Sequence, residues 1–240
     1  MYRISAKTVI VAAVLGSLLA LPAFASVNKS VKIDAGATSD GASSVNGSVT
    51  VGDNASVSGK LSTVNGTIRI GDGAIVEDVR TVNGSIKLGR QVRTADLETV
   101  NGAIRLDNET IVNGNVTAVN GSVSLATGSM VERDVENVNG DIELDASEVG
   151  GNVTTVSGDV ELSNQATIQG NLHVEKPNSS GWFKKDSRPP TIIIGPGSRV
   201  EGVIRLEREV KLYISDSASV GGVEGVMTMD DAVRFSGNHP

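Results

Sequence analysis

The chain has no cysteine, only two histidines, and six aromatic side chains in 240 residues. Without cysteine there is no disulfide framework, thiolate metal site or cysteine nucleophile, and no lipid-bearing cysteine behind a leader. Aromatic residues usually carry much of a globular core because each buries a large area. Their scarcity here means the buried surface comes from many small aliphatic contacts. Positive charge is also in short supply, with 21 Lys+Arg against 28 Asp+Glu and a formal net charge of −7. That balance excludes general nucleic-acid binding, which needs a basic footprint.

The one long apolar run, Val9 to Leu21, lies near the N-terminus behind Arg3 and Lys7. Pro22 breaks it, and Ala23-Phe24-Ala25 has the small-x-small pattern that signal peptidases cut after. The pattern predicts a secretory signal peptide over residues 1–25, cleaved between Ala25 and Ser26, because the run is short for a membrane span. No other segment has the ~20 apolar residues a bilayer-crossing helix needs, so no transmembrane span is expected in the mature chain. Losing Arg3 and Lys7 makes the exported chain two units more acidic than the whole.

What the chain has in abundance is repetition, the strongest signature of a solenoid. Val-Asn-Gly recurs at Val45, Val64, Val82, Val100, Val119 and Val138, Val156-Ser157-Gly158 follows, and a degenerate copy starts at Val27. The steps from Val45 onward are 19, 18, 18, 19, 19 and 18 residues. In each copy the fifth and seventh residues are apolar and the sixth is polar, as in Ile86-Lys87-Leu88. This is period-two alternation in β-branched-rich segments. A second half reads Val/Ile-x-Gly-x-Val/Leu, as in Val57 to Leu61 and Val112 to Val116. The reading is two short strands per copy, with the one-residue length differences placed in the turn between the two halves. Such a unit cannot close a core alone but can when stacked.

The expected fold is therefore all-β: a single-stranded parallel β-solenoid (β-helix) of about ten 18–19-residue coils after the signal peptide. Ile192 and Ile194, then Leu212 and Ile214, supply the last coils. Domain boundaries follow as 26–174 for the Val-Asn-Gly coils, 175–190 for a protruding loop, 191–225 for the last coils and 226–240 for a C-terminal cap or tail. In a stack with ~4.8 Å between strands, Asn28, 46, 65, 83, 101, 120 and 139 form a corner ladder, since Asn tolerates turns and its amides can bond along the axis.

The 175–190 loop holds Trp182 and Phe183 beside Lys184 and Lys185. This aromatic pair flanked by cations is a candidate partner-binding site; the competing reading folds it back onto the solenoid wall. The outward residue of each copy forms a column: Lys32, Thr50, Arg69, Lys87, Arg105, Ser124, Glu143, Glu161. Arg69, Lys87 and Arg105 make a basic stripe suited to an anionic partner. Asp141 and Asp159 join the two glutamates in an acidic group with cation-holding chemistry. Both stripes also read as a solvated face that discourages aggregation, and the charge reversal permits association between rods.

Catalytic constellations are harder to find. His173 and His239 have no nucleophile or metal-ligand spacing beside them. No catalytic residue, cofactor or metal site is expected.

The Thr-Val-Asn-Gly-x-Ile-x-Leu unit (Thr81 to Leu88) and Thr155 to Leu162 resemble the β-strand-repeat adhesin family of bacteria. The Val-x-Gly-x-Val half-coils and Ile194 to Gly202 resemble bactofilins, the polymer-forming cytoskeletal proteins. The two resemblances imply a β-solenoid, an envelope location from the first and assembly through coil ends from the second. The functional expectation is a non-enzymatic, periplasmic or secreted scaffold or adhesion/assembly module. Its partners would be itself, an envelope protein or a polysaccharide. The alternative is a carbohydrate-active β-helix enzyme working through Asp141, Glu143, Asp159 and Glu161.

Overall fold

The computed structural model describes residues 27–177 and 188–240. Among them every regular element is a short β-strand except one 3-10 turn, Met229–Asp231. No helix among these residues is long and apolar enough to cross a membrane. The strands form three parallel sheets of eleven, ten and ten strands, which are the three walls of a β-solenoid. With ~4.8 Å between strands, ten steps give a rod of about 48 Å.

One coil shows why the sequence folds this way. Ile86–Leu88 lies in the first wall, Arg93–Thr94 in the second and Leu97–Asn101 in the third. Ile86, Leu88, Val92, Thr94, Leu97 and Thr99 all point inward and are buried. Lys87 and Arg93, between them, are exposed. A three-walled interior only a few side chains across suits Ile, Leu and Val, and the largest fully buried side chains are all Leu or Ile. The scarcity of aromatics thus follows from the cross-section of the coil.

Sequence reading expects two strands per copy, and the structure has three. Val-Asn, which reads as the opening of a copy, ends a third strand, and a threonine precedes it in several copies. Its threonine faces inward, where the Oγ1 groups of Thr63, Thr81 and Thr99 donate to the carbonyls of Gly47, Gly66 and Gly84 at 2.8, 3.1 and 3.1 Å. A buried hydroxyl with no apolar period to its credit is satisfied by the corner of the coil before it. The one-residue length differences also fall elsewhere than expected, mostly at the corner between the second and third walls. Val76 and Val79 flank a tight corner there, whereas Val57 and Leu61 flank one widened by Gly59. Register across the first wall is constant, so the extra residue is absorbed where no inward side chain has to be kept in place.

The asparagine column forms as expected. Asn46, 65, 83, 101, 120 and 139 each donate Nδ2–H to the Oδ1 of the preceding asparagine, at 2.6 to 3.0 Å. The last coils pair as read, with Ile192 on Val160 and Leu212 on Ile192. Beyond them Met227, Met229 and Ala232 pack against the core, and Val233–Phe235 adds an eleventh strand to the first wall.

Candidate functional site

Because every coil repeats the same geometry, outward side chains line up in columns, and any site is a stretch of one column. On the first wall the register runs Lys32, Thr50, Arg69, Lys87, Arg105, Ser124, Glu143, Glu161, Ile193, Tyr213. Arg69, Lys87 and Arg105 stand exposed on consecutive strands, and none has an ion-pair partner among the described residues. Three like charges at this spacing repel one another, by roughly 1 kcal/mol per neighbouring pair in water and less with salt. A column that keeps them is open to an anionic surface.

Two coils further on the sign reverses. Glu143 and Glu161 are Cα partners, and Asp159 donates its backbone N–H to Asp141 Oδ1 at 3.1 Å. Asp159 is itself engaged: Arg188 Nη2 donates to its Oδ2 at 2.7 Å and the Thr191 N–H to its Oδ1 at 2.8 Å. His239, from the C-terminal tail, stands 3.7 Å from Glu161. The four acids are thus brought to one wall, but strung along it. Among the described residues no three acidic, imidazole or thiol groups converge in a way that would hold a metal ion.

The third wall carries a second arrangement of charge. Arg80, half-buried, bridges Asp78 and Glu98 at 3.3 Å each. Burial first, and the Arg80 charge second, push the neighbouring Lys60 ammonium below its usual range. Further along, His173 Nε2 lies 3.2 Å from Glu207, whose other oxygen accepts the Lys176 N–H at 3.2 Å. Burial is the main cause that raises Glu136 and Glu175, with Asp134 and Glu175 adding to the first and Glu207 to the second. This cluster sits where the chain leaves the wall for the 175–190 insertion.

At the corner between the first and second walls, residues with left-handed backbone stack: Asn54, Gln91, Glu109, Ala146 and Gln165 among them. An open groove of about 640 Å³ runs along it, lined by Glu109, Met130, Ser147, Glu148 and Gln165. The Gln91 amide donates to Glu109 at 2.6 Å, and Gln169 donates to Glu148. Nearby, two guanidinium bonds and its backbone N–H from Arg90 hold the Asp72 carboxyl below the usual range.

Sequence reasoning missed a second ladder, at the corner between the second and third walls. Asp96, Asn115, Asp134, Asn152 and Asn171 each accept, through Oδ1, the backbone N–H one coil on, at 2.7 to 3.3 Å. The Gly-Asn pairs ending at Asn115, Asn152 and Asn171 are the signal that could have found it. Of the residues singled out earlier, Trp182, Phe183, Lys184, Lys185, Ala25 and Ser26 lie outside the described residues, as does the segment 1–26. The ends of the insertion are described: the Glu175 N–H donates to the Thr155 carbonyl at 2.8 Å, and Pro190 is buried and accepts from Lys211 at 2.8 Å. The insertion therefore leaves from the third wall and rejoins at the first, replacing the Val-Asn-Gly corner.

No curated protein and no solved structure matches the chain. A family model does: the Toastrack DUF4097 description matches residues 44–181, more than half of the chain, and the protein belongs to that family.

Proposed function

We propose that this protein is a non-enzymatic scaffold or assembly module of the bacterial envelope, exported by its first 25 residues and working by presenting its walls to a partner. The observation that carries the reading is the distribution of its polar chemistry. Outward charges are sorted into long columns held at strand spacing by a continuous core, rather than gathered around one point. A rod of this kind offers extended, pre-organised surfaces, and binding through such a surface loses little ordering entropy. The Toastrack β-solenoid match supports a structural or assembly role, and the leader pattern supports export.

The test is photo-cross-linking in intact cells. A photoreactive residue is placed at Ser124, Met130 or Thr117, one on each wall, with fractionation of the same cells. The expected result is a discrete cross-linked species from at least one wall in the periplasmic or secreted fraction. Cytosolic retention would overturn the exported role. No cross-link from any wall would overturn the assembly role. Turnover of an envelope glycan that is lost on Glu143→Gln or Glu161→Gln would overturn the non-enzymatic one.

A further inference from the structure

The charge reversal on the first wall is not only a change of sign; it is nearly antisymmetric about one residue. Counting coils outward from Ser124, the first neighbours are Arg105 and Glu143, and the second neighbours are Lys87 and Glu161. A two-fold axis lying between two facing walls, along the strand direction at the level of Ser124, would therefore set Arg105 of one rod against Glu143 of another, and Lys87 against Glu161. The same axis repeats both pairings in reverse. We infer that the first wall pairs with a second copy of this chain, antiparallel, about a two-fold axis at Ser124. This rests on the assembly reading above and names the partner and the surface.

Three features of this wall favour a second copy. First, the partner has the right spacing by construction: both columns repeat at ~4.8 Å, so all four ion pairs come into register together. Second, a closed two-fold contact uses one self-complementary patch, the commonest way a soluble chain associates. Third, parallel pairing of the same walls would set Lys87 on Lys87 and Glu143 on Glu143, which like-charge repulsion opposes. The molecule is acidic overall, with a net charge of −7, so a free polyanion would meet repulsion away from the stripe. Arg188 already occupies Asp159, and His239 lies near Glu161, which leaves Glu143 and Asp141 as the most available acids. The patch from Lys87 to Glu161 is about 19 Å long, which supports a weak, salt-sensitive pairing rather than an obligate one.

The absence of cysteine makes the geometry directly measurable. Ser124→Cys lies on the axis and is expected to link to itself through a short bismaleimide. Lys87→Cys alone is not, because its symmetry mate is about 19 Å away, while Lys87→Cys with Glu161→Cys is expected to link. Sedimentation of the wild-type protein should show a dimer at low salt whose dissociation constant rises about tenfold or more at high salt. Lys87→Glu/Arg105→Glu and Glu143→Lys/Glu161→Lys should each be monomeric, and their equimolar mixture should form a heterodimer.

A monomer at every concentration up to about 500 µM at low salt, a range that would reveal even weak pairing, would overturn the inference. So would Lys87→Cys self-linking as readily as Ser124→Cys. A monomer that instead binds an anionic glycan through Arg69, Lys87 and Arg105 would overturn it too. A monomer in sedimentation together with cross-links in cells to another protein would leave the assembly reading standing while this inference fails, so the two are separable.

Discussion

Replacing Gly170 by alanine tests how closely the coils are stacked. A Cβ at Gly170 would lie 2.5 Å from the Gly151 carbonyl oxygen and 2.8 Å from Asn152 Oδ1, one coil back. Ordinary van der Waals contact begins at 3.4 Å, so coil and coil must separate locally by about 0.9 Å, on the scale of an overpacked core. The nearest atoms are backbone and a ladder amide, which have little room to give. Overpacking of this kind costs about 1–3 kcal/mol. Two hydrogen bonds made by the next residue, from the Asn171 N–H and Nδ2 to Asn152 Oδ1 at 2.9 and 3.2 Å, would also stretch. Each is worth about 1 kcal/mol, which brings the expected loss to roughly 3–5 kcal/mol by adding overpacking and hydrogen-bond terms.

Gly128→Ala is the control. Gly128 has φ +73°, but a Cβ there meets nothing nearer than Glu109 Cγ at 3.4 Å, and Ala146 takes the equivalent left-handed place one coil on. Its expected loss is only about 1 kcal/mol, from backbone conformation alone. Urea unfolding followed by far-ultraviolet circular dichroism compares the two, and hydrogen exchange should rise at Asn171 and Val203 in the Gly170 variant. In a repeat protein the damage should stay near the altered interface. If the Gly170 variant loses no more stability than the Gly128 variant, the close-stacking argument is wrong.

Three further predictions follow from the same geometry. Asn101→Ala breaks two rungs of the amide ladder, to Asn83 and from Asn120 at 2.8 and 3.0 Å, and should lower unfolding stability by about 1–2 kcal/mol in the same urea assay. Ile104→Ala empties a fully buried site and should lose about 2–5 kcal/mol, whereas Arg105→Ala beside it should stay within about 0.5 kcal/mol. Glu136 is raised mainly by burial, so the folded state holds its proton better than the unfolded chain does. That penalises the fold as pH climbs from the ordinary glutamate range through the raised folded value, and the penalty persists above it. Glu136→Gln should therefore stabilise the protein at pH 7, with the gain vanishing in acid; a gain that persists in acid would point to another cause.

The period of 18–19 residues, the inward Ile-x-Leu pairs and the asparagine rung are local patterns repeated many times. Repetition turns a weak preference into an architecture, because each coil can bury its apolar face only on its neighbour. The outward charge column was legible for the same reason, since alternation fixes which side chain leaves the core. The third strand was not, because its inward residue before the Val-Asn corner is polar in most copies (Ser44, Thr63, Thr81, Thr99, Asn137, Thr155) and a polar residue carries no apolar period. Only the stacked corner supplies the glycine carbonyl that satisfies it.

The Asp96-to-Asn171 ladder and the site of the length differences were hidden likewise, since both depend on what one coil places above another. Where the insertion's described ends attach, at Thr155 on one wall and Lys211 on another, was likewise decided by the fold. So was the joining of Glu136, Glu175, His173 and Glu207, which are far apart in the chain, into one charged cluster. Sequence alone determined that the chain is a stack, because the stacking rule is written into every copy. Tertiary structure decided which side chains meet across copies, because those meetings are set by corners and register, which no single repeat encodes.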